Sequence, residues 1–193
     1  AIYADKIEGW TGAPQSIYSD HFLHTQPVDG PMGYKIEATP IHPGLVSVLL
    51  GGIGSELAER FKNYPHTQML LSLMRDGFHP ESEGGSVYLN IDGSPLLNYS
   101  LTPYVLDGFR RSFLSMAEIQ FAAGAQKVMP YHQHGKYYTT WAEAQKAIKE
   151  LDMRPFLTGA GSAHVMGGCA MAASRAGCGT NAAWWWRTTA LAS

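Results

Sequence analysis

The histidine with the most unusual surroundings in this chain is His164. Thr158-Gly159-Ala160-Gly161-Ser162-Ala163 precede it, and Val165-Met166-Gly167-Gly168 follow. Small residues let backbone come close to something large and flat. An imidazole among them, with an ordinary pKa near 6.5, is suited to exchange a proton with whatever fills that space. The composition therefore fits a cofactor or substrate pocket with one acid-base group. A glycine-rich turn around a structural histidine has the same composition.

Other spacings compete for attention. His132-Gln133-His134 would put two imidazoles on one face of a strand, and His21-x-x-His24 would do so on a turn. No Cys or carboxylate cluster accompanies either pair, so solvated or hydrogen-bonded histidines are the favoured reading over metal ligands. Gly52-Ile53-Gly54-Ser55-Glu56-Leu57 imitates a dinucleotide fingerprint, with Val46 to Leu50 as the strand before it and Asp76 about 20 residues on. It fails at the third glycine, where Leu57 stands. Neither a Gly-x-Ser-x-Gly elbow nor a Walker-type loop occurs, which leaves hydrolase and nucleotide-triphosphatase readings without support.

The elements that must position these groups belong to a chain of 193 residues with 45% apolar content, enough for one packed domain. A net charge of -2 offers no basic footprint for nucleic acid or an anionic membrane. The longest apolar run, Gly44 to Ile53, is too short to span a bilayer. The first residues do not read as a secretory signal, and the absence of an initiator Met suggests a cut or processed start. A soluble protein of the cytoplasm or periplasm is expected. Cys169 and Cys178 are the two cysteines; a bridge between them would close a short loop and would not scaffold the fold.

Along the chain, residues up to about Pro43 read as extended segments and turns, with Tyr34 to Thr39 alternating as a strand. Leu45 to Leu50 fits either a buried strand or the start of a helix. Ser55 to Arg60 suits a turn or two of helix, ended by Asn63-Tyr64-Pro65. Thr67 to Arg75 is strand-like, and Gly85 to Asp92 and Leu96 to Leu101 flank an Asp92-Gly93 turn, which predicts an antiparallel hairpin. Pro103 to Ala123 has helical apolar spacing, Pro in its first turn and Gly124 as its stop. Val128 to Tyr131 reads as a short strand. Thr140 to Leu151 reads as a surface helix capped by Thr139 or Thr140, with Glu143 completing a capping box. Hairpin strands followed by helices, without regular alternation, predict an antiparallel α+β domain.

Ser162-Ala163-His164-x-Met166-Gly167-x-Cys169-x-Met171 resembles the C-terminal signature of the glucose-methanol-choline (GMC) oxidoreductases. Further matches follow in that family's order: Trp10-x-Gly12-Ala13-Pro14-Gln15-x-x-Tyr18-Ser19-Asp20-His21-Phe22, then Gly85-x-Val87, Asp92-Gly93-x-Pro95-x-x-x-Tyr99, and Ala122-Ala123-Gly124-Ala125. The resemblance covers residues 2–171. It implies the family's C-terminal substrate-binding domain, an antiparallel sheet with helices packed mainly on one face. It also implies oxidation of a CH-OH group by hydride transfer to FAD, with His164 as the base and Met166, Gly167 and Gly168 close to the flavin. His21, inside a family-like motif, is expected in the pocket wall. The FAD would be bound mainly by another domain that these residues do not include, so the chain alone is expected to be inactive. A non-catalytic binding module on the same fold is the alternative.

The pattern stops at Met171. The resemblance calls for Gly, then Val-Val-Asp, Asn-Leu and Asp-x-Ser-x-x-Pro elements and a second His or Asn. Residues 172–193 instead contain Ala172-Ala173-Ser174-Arg175 and Trp184-Trp185-Trp186. Three Trp codons are TGGTGGTGG, and read two bases later they give GTG, valine. The expected organisation is therefore a domain over residues 1–171 and an atypical tail over 172–193, either frameshifted or genuinely divergent. Sequencing the coding DNA checks this: the alternative frame should restore the Val-Val-Asp and Asn-Leu elements, and an alternative frame without them refutes the shift.

Overall fold

The computed structural model describes residues 1–50, 52–82, 84–166 and 185–192, with the backbone alone at 163–166 and 185–192. Its strands are β1 (Tyr18–Ser19), β2 (Tyr34–Thr39), β3 (Met69–Met74), β4 (Ser86–Leu89), β5 (Pro95–Asn98), β6 (Ala160–Met166) and β7 (Trp185–Ala192). Its helices are α1 (Pro43–Leu49), α2 (Ser55–Lys62), α3 (Pro103–Ala122) and α4 (Trp141–Glu150). The main sheet runs β1-β2-β3-β7-β6 with antiparallel neighbours, and β4-β5 is a separate two-stranded ribbon. This is the α+β class that the element pattern predicts.

Helix α3 begins and ends where its residues dictate. The Thr102 hydroxyl accepts from the Val105 N–H and Pro103 occupies the first turn. At the other end Gly124 sits at φ +91°. Its N–H reaches the Phe121 carbonyl, and the Ala125 N–H reaches that of Gln120, the paired bonds of a Schellman stop. Glycine takes this left-handed conformation without a steric penalty.

One stripe of α3, Val105, Phe109, Phe113 and Met116, is fully buried against Met32, Tyr34, Ile36, Leu70 and Met74. Tyr34 and Ile36 alternate toward the helix, while Lys35 and Glu37 fall on the opposite face, where they form a 2.7 Å ion pair. Buried Ser72 and Ser112 satisfy each other across the helix-sheet contact at 2.9 Å. Helix α4 packs behind α3 and contributes Ala144 and Ile148 to the same core. Thr140 is the cap: its hydroxyl accepts from the Glu143 N–H, and the Glu143 carboxylate reaches back one residue beyond a capping box to accept from the Thr139 N–H. Arg110 of α3 then donates to the carbonyls of Ile148, Lys149 and Leu151, which α4 leaves unpaired at its end.

Of the two alternatives open for Leu45 to Leu50, the helix forms: Pro43–Leu49 starts at Pro43 behind the His42 ring, which accepts from the Gly44 N–H. Its Val46 and Leu50 enter a small second core with Ile41 and Met69. The dinucleotide reading loses its strand and its parallel sheet together. Val128 to Tyr131 is likewise no strand: Val128 makes a single bridge to Tyr138. The residues that the sequence assigns to the tail include β7, which lies between β3 and β6.

Phe113 is wholly enclosed at the centre of the helix-sheet contact. Phe113→Ala should lower the unfolding free energy by about 3–5 kcal/mol in a denaturant titration; a loss under about 1 kcal/mol would show that this contact does not organise the core.

Candidate functional site

Strand β6 carries the predicted base, so what positions β6 positions the site. On one side it pairs with β7: Ser162 lies opposite Thr188, while His164 lies opposite Arg187 and Met166 opposite Trp185. The register shifts by one between Ser162 and His164. Such a bulge changes which face successive residues occupy, and bulges recur beside active sites because they re-aim side chains. Gly167, Gly168, Cys169 and Cys178 lie outside the described residues, and for His164 and Met166 the backbone alone is described.

At its foot β6 is held by Tyr131-His132-Gln133. The Gly159 N–H donates to the Tyr131 carbonyl at 2.9 Å, and the Gln133 N–H donates to that of Leu157 at 2.8 Å. A methyl group added at Gly159 would fall inside the Tyr131 ring, so the glycine is required by close approach. The next residues, Ala160, Gly161 and Ser162, are exposed, and a Cβ at Gly161 would meet nothing. The small-residue run thus has two jobs, tight packing at Gly159 and an uncovered stretch beyond it.

His132 is 8% exposed and fully engaged. Its Nδ1 accepts from the His134 N–H at 3.0 Å, so the proton resides on Nε2, which donates to the Asp152 carbonyl at 3.1 Å. Burial holds the imidazole below its usual pKa range, against the opposing pull of the Asp152 carbonyl. His21 is exposed with its ring edge-on to Phe22, and His24 is exposed. Among the described residues no group of three or more His, Cys, Asp or Glu gathers to hold a metal ion.

The N-terminal motif assembles over the sheet. Gln15 donates to the Glu37 carboxylate at 2.9 Å, and Lys35 rests 3.9 Å from the centre of the Tyr18 ring. Glu37 is thereby buried with an ion pair and a hydrogen bond. Tyr99, the last residue of the hairpin motif, donates its hydroxyl to the buried Asp76 carboxylate after β3. Sequence spacing does not reveal the Asp76–Tyr99 contact or the left-handed backbone of Phe156. Tyr99 carried a signal in its motif position, but its partner lies 23 residues away, and Phe156 carried none.

With this geometry in view, the chain is similar to two uncharacterised GMC-type oxidoreductases of Mycobacterium tuberculosis, from strains CDC 1551/Oshkosh and ATCC 25618/H37Rv. Each is 24% identical over 128 residues, or 66% of this chain. The chain spans 18% of the length of these relatives. No family model matches the chain, and no solved structure matches it. At that distance the similarity is a likeness to part of a GMC-type oxidoreductase. Among the described residues no helix is long and apolar enough to cross a membrane.

The His132 environment makes a pH prediction. A base with a depressed folded pKa binds fewer protons than in the unfolded chain. Its contribution to stability is therefore complete above about pH 6.5 and declines as pH falls toward the lowered folded value. Thermal unfolding between pH 7.5 and 5 should show a smaller decline for His132→Ala than for the unaltered chain; equal slopes would exclude His132 as a contributor.

Proposed function

We propose that this chain is the substrate-binding, catalytic-histidine part of a GMC-type oxidoreductase that oxidises a CH-OH group with FAD. The observation that carries this reading is the similarity over 128 residues to GMC-type oxidoreductases. The ordered motifs ending in His164 and the antiparallel α+β fold agree with it.

The residues present suit a flat cofactor at β6. Ala160, Gly161 and Ser162 leave the strand uncovered, and the space beside Gly161 is open, as close approach of a ring system requires. Met166, Gly167 and Gly168 would hold the near side of the flavin. When bound, the flavin supplies the hydride acceptor. His164 takes the hydroxyl proton of the alcohol, a task for which a neutral imidazole is suited near pH 7. The backbone register shifts immediately before His164.

A flavin of this size needs more contact surface than one uncovered strand, and the relatives are several times longer than this chain. The reading therefore assigns most flavin contacts to polypeptide outside these residues, and the isolated chain to inactivity. A non-catalytic binding module is the second reading, favoured by the loss of family pattern after Met171.

Two measurements test the proposal. Mixed with FAD and a panel of alcohols, the isolated chain should show neither stoichiometric flavin binding nor turnover; tight binding with turnover contradicts the division of labour. In an intact enzyme containing this segment, His164→Ala should reduce turnover by about a hundredfold or more, whereas a near-normal rate removes His164 from the role.

A further inference from the structure

Immediately before β6 the chain holds Phe156 in an unusual state. Its φ is +69°, a left-handed backbone that bulky side chains seldom adopt, and its ring is 95% exposed. The neighbours impose this conformation. The N–H groups of Leu157 and Thr158 both donate to the Arg154 carbonyl, and Leu157 is tied to Gln133. Strain of this kind, kept by its surroundings at a residue that fills no core, calls for a functional account.

Phe156 lines a cavity of about 610 Å³ with Tyr99, Leu101, Pro155 and Ala160, beside Ser100 and Thr158. Small-molecule pockets fall at roughly 300–1,000 Å³. Two of the hydroxyls in its wall are engaged within the chain: Tyr99 donates to Asp76, and Thr158 donates to the Met153 sulfur at 3.5 Å; the third, on Ser100, lies at the exposed side. What remains for a ligand is mainly ring faces and aliphatic surface.

We infer that this cavity receives the apolar, ring-bearing end of an extended alcohol, with Phe156 as its aromatic wall. The inference rests on the reading of His164 as the base. Ala160 begins the strand that reaches His164 four residues later, about 13 Å at a strand rise of roughly 3.3 Å per residue. A ligand seated against Phe156 must be long to present its hydroxyl near His164. Small polyols fill neither the cavity nor that distance.

Fluorine-observed NMR on the chain tests this with three probes: a primary alcohol bearing a fluorinated aryl ring on a long alkyl chain, its methyl ether, and a fluorinated glycerol analogue. Both aryl compounds should bind alike, because the ring is the anchor, and the glycerol analogue should not compete. Phe156→Ala should weaken aryl binding by about tenfold, the loss expected for one buried aromatic contact. Phe156→Gly should weaken it equally while leaving the melting temperature unchanged or raised, since glycine accepts this φ. Undiminished aryl binding in both variants, no aryl binding by the unaltered chain, or equal affinity for the glycerol analogue overturns the inference. The methyl ether cannot be oxidised as an alcohol. Its binding therefore reports the cavity alone, and failure of the intact enzyme to turn over the alcohol would count against the flavin reading and leave the cavity standing.

Discussion

The contact between helix α3 and strands β2 and β3 is the constraint on which the rest of the molecule depends. Phe109, Phe113 and Met116 occupy one face of the sheet, and Gly108 brings the helix against the sulfurs of Met32 and Met74. Close packing of this kind tolerates little change in volume, so it fixes the height and direction of the helix over the sheet. Arg110 of the same helix holds the end of α4, and Tyr34 of the sheet reaches Ser115 of α3 at 2.7 Å. Both helices are thereby tied to one sheet face.

The opposite face follows from the period of two along each strand. Because Tyr34 and Ile36 turn toward α3, Lys35 and Glu37 must turn away, and the fold supplies them with partners. Gln15 and Tyr18, which the sequence marks as part of one motif, are thus supports for a buried carboxylate. Their motif spacing is explained by the need to reach across β1 onto β2, paired through Tyr18 and Glu37.

The candidate site sits at the margin of this arrangement, on the strand at the sheet's edge. Among the described strands β6 has one neighbour, β7. The foot of β6 is rigid because Gly159 is wedged against Tyr131, while Ala160 to Ser162 stay uncovered. Rigidity below and access beside it are what a strand needs if it is to present a proton acceptor to a flat partner. His132, a sequence candidate for metal binding, belongs to that rigid foot: both its ring nitrogens are committed to backbone groups.

The sequence by itself determined the features whose cause is local. Thr102, Pro103 and Gly124 bound α3, Thr140 and Glu143 start α4, Asp92-Gly93 turns the hairpin, and Tyr34 to Thr39 reads as the strand it forms. Capping and turn chemistry act within a few residues, so they are visible in one dimension. Tertiary structure alone decided the remainder. The apolar run Leu45 to Leu50 suits strand or helix equally, and burial of Val46 and Leu50 against Ile41 and Met69 selects the helix. The backbone of Trp185 to Ala192 enters the sheet although its residues carry no family pattern. Ladder bonds are made by main chain, and Thr188, Thr189 and the Trp residues suit a pleated surface. The same separation governs the site. The small residues before His164 are legible as a place of close backbone approach, which Tyr131 makes at Gly159, whereas the Asp76–Tyr99 bond, the fixed tautomer of His132 and the exposed ring of Phe156 arise from contacts between distant segments, which no local spacing encodes.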